Sequence, residues 1–89
     1  MIEKEVQLIS ELGLHARPSS LISCELSKMK LSVAEIHYKS SIAKLNSVME
    51  LLTLSVSPKA FVLVRLEGPD EQKAFDLVKK VFSIEEKMK

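Results

Sequence analysis

The chain has 89 residues, of which 46% are hydrophobic and 28% are charged, so we expect one domain over residues 1–89 rather than a multidomain enzyme. Thirteen Lys and Arg residues balance twelve Asp and Glu residues, which argues against nucleic acid as a partner. Cys24 has no second cysteine to pair with, and the N-terminus lacks a signal-peptide pattern. No apolar run is long enough to insert into a membrane, so the sequence predicts a cytoplasmic protein.

The first third of the chain indicates a strand followed by a helix. Val6 and Leu8 share one side of residues 4–9, which predicts a half-buried first strand. After Gly13, apolar residues recur at helical spacing and predict a helix of about three turns. They are Pro18, Leu21, Ile22, Leu26 and Met29. Cys24 falls within this helix, where we expect a small buried side chain.

The middle of the chain indicates two strands and a second helix. The alternation of Ala34, Ile36 and Tyr38 predicts the second strand, with His37 on its solvated face. A short third strand is expected around residues 42–43. Ser47 then begins an S-x-x-E capping box, which predicts a helix over residues 47–54.

The last third indicates a strand and a closing helix. Phe61–Glu67 is rich in β-forming residues and precedes Gly68-Pro69. The helix is indicated by apolar residues at Ala74, Leu77, Val78, Val81 and Phe82. The order βαββαβα predicts an α+β open-faced β-sandwich, with three helices packed on one face of a four-stranded antiparallel sheet.

The segment from Gly13 to Pro18, which contains His15 and Arg17, is the strongest candidate for chemistry. Proline is favoured in the first turn of a helix, so Pro18 places His15 near the N-terminus of the first helix. The helix dipole and the guanidinium of Arg17 both favour a neutral, nucleophilic imidazole. The same donors would hold a phosphoryl group once it is attached, and Gly13 gives the backbone freedom to turn the histidine outward.

On these residues the sequence resembles the histidine-containing phosphocarrier family, HPr, of the bacterial phosphoenolpyruvate-dependent sugar phosphotransferase system. The resemblance covers essentially the whole chain. It implies a monomeric phosphocarrier without independent turnover, cofactor or metal. His15 would accept phosphate through Nδ1 from enzyme I and pass it to IIA proteins or domains of sugar permeases, with Arg17 stabilising the phosphoryl group.

The resemblance also implies a regulatory role for Ser47, because in many members of the family an HPr kinase/phosphorylase phosphorylates the serine at the matching position. A phosphate at a helix N-terminus is tolerated, but the carboxylate of Glu50 would repel it, so we place helix capping ahead of phosphorylation. The alternative function is therefore a paralogue that acts mainly as a regulatory effector through Ser47. A third hypothesis is an unrelated metabolite-binding α+β domain.

The family also has an apolar patch around the histidine that docks partner proteins. In this chain the matching residues are Ser20, Leu21, Val48, Met49 and Leu52. Core packing is the commoner fate of leucine and valine at helical spacing. Met49 is the residue that we most expect to be exposed, because methionine suits surfaces that bind several partners.

Overall fold

The computed structural model describes residues 1–10, 13–14 and 16–83. Within these residues, four strands and three helices follow in the predicted order βαββαβα. The elements are β1 (Ile2–Gln7), α1 (Ala16–Leu26), β2 (Val33–Tyr38), β3 (Ser41–Lys44), α2 (Val48–Leu54), β4 (Phe61–Glu67) and α3 (Glu71–Phe82).

The four strands form one antiparallel sheet in the order β1-β4-β2-β3. β4 lies in the interior of the sheet, pairing Val62 with Val6 of β1 and Val64 with Ile36 of β2. β1 and β3 are the edge strands. The predicted α+β open-faced sandwich with a four-stranded antiparallel sheet is confirmed.

The core lies between the apolar face of this sheet and the helices. Val64 and Ile36 contribute from the sheet, and Ile22, Leu51 and Phe82 contribute one fully buried side chain from each helix. These side chains stabilise the domain because their apolar surface is removed from water on folding. No helix among the described residues has the length and apolar character needed to cross a membrane.

The bounds of two elements, β1 and α1, differ from the sequence prediction. β1 begins at Ile2, which pairs with Leu66, and ends at Gln7 rather than at residue 9. α1 ends at Leu26, three residues before the predicted limit at Met29. Met29 lies in the turn that follows the helix and still packs against the core. Its apolar side chain is therefore explained by its packing and not by a place in the helix.

The prediction that Cys24 is buried is wrong, because its side chain is exposed. The buried face of α1 includes Ile22 and Leu26. Position 24 is two residues from each of them, which places it about 200° around the helix, on the opposite face. Leu21, which recurs at the same helical spacing as the buried residues, is exposed as well.

His37 lies on the face of β2 predicted for it, opposite Ile36, but it is only partly solvated. Its side chain is 25% exposed, and Nε2 lies 3.8 Å from Oε1 of Glu35. The Glu35 carboxylate therefore lies beside a ring that the sequence predicted on a solvated face.

Candidate functional site

The chain enters α1 through a residue whose backbone conformation requires glycine. Gly13 has φ 72°, in the left-handed region, and a Cβ atom at this position would lie 2.8 Å from the carbonyl oxygen of Val56. The next amide, of Leu14, donates a hydrogen bond to that same carbonyl at 3.2 Å. The backbone just before α1 is therefore held against the segment that follows α2, which only a residue without a side chain permits.

α1 begins at Ala16, the residue that follows His15 in the sequence. Pro18 stands in the first turn, as the sequence predicted, and is buried. His15 lies outside the described residues, so its role stays a prediction. The first helical amides have no acceptor within a helix, and the first turn of α1 contains no acidic residue to neutralise them.

Arg17 is exposed in the first turn of α1 and forms no ion pair with a carboxylate of the described residues. Arg65, the other arginine, is in the opposite situation on the open face of the sheet. Its guanidinium lies 2.8 Å from a carboxylate oxygen of Glu3 and 3.6 Å from one of Glu35. Within the part of the chain that the structure describes, Arg17 is therefore the guanidinium without a carboxylate partner.

Residues 56–58 support this entrance, although no sequence pattern singled them out. Besides the Val56 carbonyl, Pro58 lies against Gly13, and the hydroxyl of Tyr38 donates to the Ser57 hydroxyl at 3.2 Å. The hydrogen bond with the Ser57 side chain lowers the pKa of the Tyr38 phenol from its ordinary 10.0. No sequence signal could have found this support, because its central contact uses a main-chain carbonyl.

The capping box predicted at the start of α2 forms only in part. Ser47 is the N-cap, and its hydroxyl oxygen accepts from the Glu50 amide at 3.4 Å. The Glu50 carboxylate, however, accepts from the Lys44 amide at 3.2 Å instead of returning to Ser47. It does so because the Ser47 amide already donates to the Lys44 carbonyl, at 3.1 Å.

The predicted docking residues on α1 and α2 lie largely at the surface. Met49 is 77% exposed, Leu21 is 45% and Leu52 is 39%. Ser20 is exposed as well, and Val48 is half-buried. α1 and α2 pack against each other, so the sequence-predicted patch belongs to two neighbouring helices. Nothing in these positions identifies what binds there, and docking stays a prediction.

Metal binding has no support among the described residues, since no three of their His, Cys, Asp and Glu side chains cluster closely enough to hold an ion.

Comparisons with known proteins place the whole architecture in one family. The family model described as "PTS HPr component phosphorylation site" matches residues 2–83. The chain belongs to the HPr family. A phosphocarrier protein HPr of Mycoplasma pneumoniae is 28% identical over 80 residues, which cover 88% of this chain and 91% of that protein.

Solved structures show the same HPr fold. HPr-C-His from Thermoanaerobacter tengcongensis matches with a TM-score of 0.83 and 27% identity, covering 92% of this chain and 91% of that one. The Bacillus subtilis catabolite repression protein Crh, whose crystal structure revealed a swapped dimer, matches with a TM-score of 0.72 and 25% identity, covering 99% and 100%. The HPr family is a family of phosphocarriers, which confirms the resemblance drawn from the segment around Gly13 and Pro18.

Proposed function

We propose that this chain carries a phosphoryl group on His15, which it accepts from phosphorylated enzyme I and passes to IIA proteins or domains of sugar permeases. The observation that supports this most is the start of α1 at Ala16, directly after His15, in a chain that matches the HPr family over residues 2–83. The exposed Arg17 supplies a positive charge at the same helix end.

In the proposed reaction the imidazole of His15 attacks phosphorus, and its bond to the phosphoryl group forms as the donor's bond to phosphorus breaks. The electron pair of the broken bond stays with the donor. The family resemblance assigns the attack to Nδ1. Helix amides and Arg17 then face at least one additional negative charge, which they stabilise as a helix N-terminus stabilises other anions.

A phosphocarrier must also release its phosphoryl group to the next protein. Stabilising the loaded state more strongly would raise the barrier to the next transfer, so a moderate set of donors without a metal suits a carrier. The partner proteins would supply the remaining stabilisation of the transition state, and the chain would have no turnover of its own. We propose that residues 1–89 act in this way as one monomeric, cytoplasmic domain.

Regulation through Ser47 is the second candidate function. Ser47 caps α2, and a phosphate there would meet the positive end of that helix. We place it second because Glu50 stands in the first turn of α2, where its carboxylate would oppose a phosphate on Ser47.

The carrier function is tested by incubation with phosphoenolpyruvate and enzyme I, followed by mass measurement. We expect one acid-labile phosphoryl group in the parent chain and in His37→Ala, and none in His15→Ala. Uptake by His15→Ala would overturn the assignment. Absence of uptake by the parent chain would favour the metabolite-binding hypothesis instead.

A further inference from the structure

The entrance to α1 is linked to the end of β2 by a short series of contacts. Tyr38 is the last residue of β2, and its hydroxyl donates to the Ser57 hydroxyl at 3.2 Å. The residue before Ser57 is Val56, whose carbonyl oxygen accepts from the Leu14 amide at 3.2 Å. Leu14 directly precedes His15 in the sequence. Two hydrogen bonds and one peptide bond therefore connect the end of β2 with the residue before His15.

The Tyr38 end of this series is fixed in the fold. The Tyr38 backbone pairs with Ser41 in the sheet, and its side chain packs against the hydrophobic core. The Nζ atom of Lys39 lies 5.3 Å from the centre of the ring, where the negative face of an aromatic ring attracts a cation. The phenol oxygen is therefore presented by a side chain whose own position is held by packing, as a group that positions another must be.

The backbone of residues 55–59, by contrast, depends on contacts from elsewhere in the fold. Ser55 and Lys59 stand at its two ends with φ values of 54° and 65°, in the left-handed region. Residues other than glycine rarely adopt this region and persist there only where the surrounding structure holds them. Side chains of the sheet hold this stretch at two points. The Gln7 side-chain amide donates to the Lys59 carbonyl at 3.0 Å, and the Tyr38 hydroxyl donates to the middle of the stretch.

We propose that Tyr38 is a positioning residue for phosphoryl transfer: its hydrogen bond to Ser57 fixes the Val56 carbonyl and, through it, the backbone that leads to His15. This inference rests on the proposed carrier function. The imidazole must meet phosphorus at a defined distance and angle, and a small displacement of a reacting group slows a reaction strongly. Tyr38 does not contact the phosphoryl group in this proposal, because it acts only through the segment that it holds.

The test removes one hydroxyl at a time. Tyr38→Phe keeps the ring and its packing against the core, and Ser57→Ala removes the partner hydroxyl. Ser57→Thr keeps a hydroxyl and serves as the rescue variant. The matched control is Ser32→Ala, which removes a side-chain hydrogen bond of the same 3.2 Å length, to the Glu67 carbonyl, beside the other end of β2.

Single-turnover transfer from phosphorylated enzyme I gives the maximal rate and the concentration of the chain at half-maximal rate. We expect Tyr38→Phe and Ser57→Ala to lower the maximal rate about three- to fivefold, because one neutral hydrogen bond limits the effect to about tenfold. The half-maximal concentration should stay at the parent value. The double variant should be no slower than either single variant, since both remove the same bond. Ser57→Thr and Ser32→Ala should transfer at nearly the parent rate.

This readout separates positioning from a purely structural role. A variant that only loses some stability remains almost fully folded in the assay, so its maximal rate would not change. A parent maximal rate in Tyr38→Phe would therefore overturn the inference while leaving the carrier function intact. Failure of enzyme I to load the parent chain would instead overturn the carrier function, and the role of Tyr38 in transfer with it.

Hydrogen exchange tests the physical link without enzyme I. The Leu14 amide exchanges with solvent when its bond to the Val56 carbonyl opens locally. By NMR in deuterated water, we expect exchange at Leu14 to be about threefold faster in Tyr38→Phe and unchanged in Ser32→Ala. A slower transfer in Tyr38→Phe without faster exchange at Leu14 would overturn the route through Val56.

Discussion

The N-termini of the three helices differ in the side chains that stand near their free backbone amides. At the start of α2, the hydroxyl oxygen of Ser47 accepts a hydrogen bond from the Glu50 amide, and the acidic side chain of Glu50 stands in the first turn. α3 has Glu71 in its first turn, and the carboxylate of Glu71 accepts from the Gly68 amide at 3.3 Å. α1 has no acidic residue in its first turn and instead carries the exposed Arg17.

This difference indicates that positive electrostatic potential is least offset by acidic side chains at the N-terminus of α1. An acidic side chain near a helix N-terminus stabilises the helix, so α2 and α3 satisfy their own dipoles. The missing carboxylate at α1 costs the protein some of that stabilisation. Among the described residues, Arg17 keeps no carboxylate partner, which suits an anion brought from outside, as the proposed phosphoryl chemistry at His15 requires.

The largest effect is expected from the arginine that makes α1 different. Arg17→Gln should slow phosphoryl uptake from enzyme I roughly 10- to 100-fold, the loss expected when a charged group loses a hydrogen-bonding partner. The matched control is Arg65→Gln, which removes ion pairs with Glu3 and Glu35. That control should keep its uptake rate and lose about 1 kcal/mol of unfolding free energy, measured by urea denaturation. Equal uptake rates in the two variants would contradict a special role for Arg17.

A somewhat smaller effect on phosphoryl uptake is expected when the first turn of α1 is given an acidic residue, as α2 and α3 have. Ala16 is exposed at the start of α1, so Ala16→Glu fits sterically and supplies the missing carboxylate. It should stabilise the fold by about 0.5 kcal/mol through the helix dipole. It should also slow phosphoryl uptake about tenfold, because the added charge repels the incoming group. Ala16→Gln is the uncharged control, and if it slows uptake equally then the electrostatic explanation is wrong.

Features of the fold that depend on side-chain periodicity could be predicted from the sequence, whereas features that depend on backbone or tertiary contacts could not. Periodicity gave the order of elements because buried side chains recur every two residues in strands and at helical spacing in helices, as Ile36 and Ile22 do. The expectation of a buried Cys24 was wrong because it rested on the residue type, whereas the helical spacing from Ile22 and Leu26 places position 24 on the exposed face. The support of Gly13 by the Val56 carbonyl was also out of reach, since any residue at position 56 offers that oxygen. The turning of Glu50 to the Lys44 amide depends on tertiary placement of β3 and α2.

A moderate effect on stability alone is expected at the start of α2. Ser47→Ala removes the acceptor of the Glu50 amide and should lower the unfolding free energy by about 1 kcal/mol, measured by thermal or urea denaturation. Phosphoryl uptake from enzyme I should stay at the parent rate, because the Ser47 hydroxyl caps α2 and belongs neither to the phosphoryl site nor to the predicted docking patch. Ser47→Thr, which preserves the hydroxyl, should recover most of the stability. A clear loss of uptake in Ser47→Ala would contradict this prediction and would show that the N-terminus of α2 contributes to phosphoryl uptake at the N-terminus of α1.

The smallest effect is expected at α3 and appears only in acid. The amino group of Met1, 3.2 Å from the Glu71 carboxylate, and then the Gly68 amide lower the pKa of Glu71 from its ordinary 4.5. A carboxyl whose pKa falls on folding stabilises the folded state above that ordinary value, and the contribution is lost as pH falls through the folded pKa. Glu71→Gln should therefore flatten the loss of stability below pH 4.5, measured by urea denaturation at several pH values. Glu5→Gln, at an exposed position on β1, is the control and should retain the parent's acid dependence. If both variants flatten the curve equally, general charge reduction rather than the α3 terminus governs acid stability.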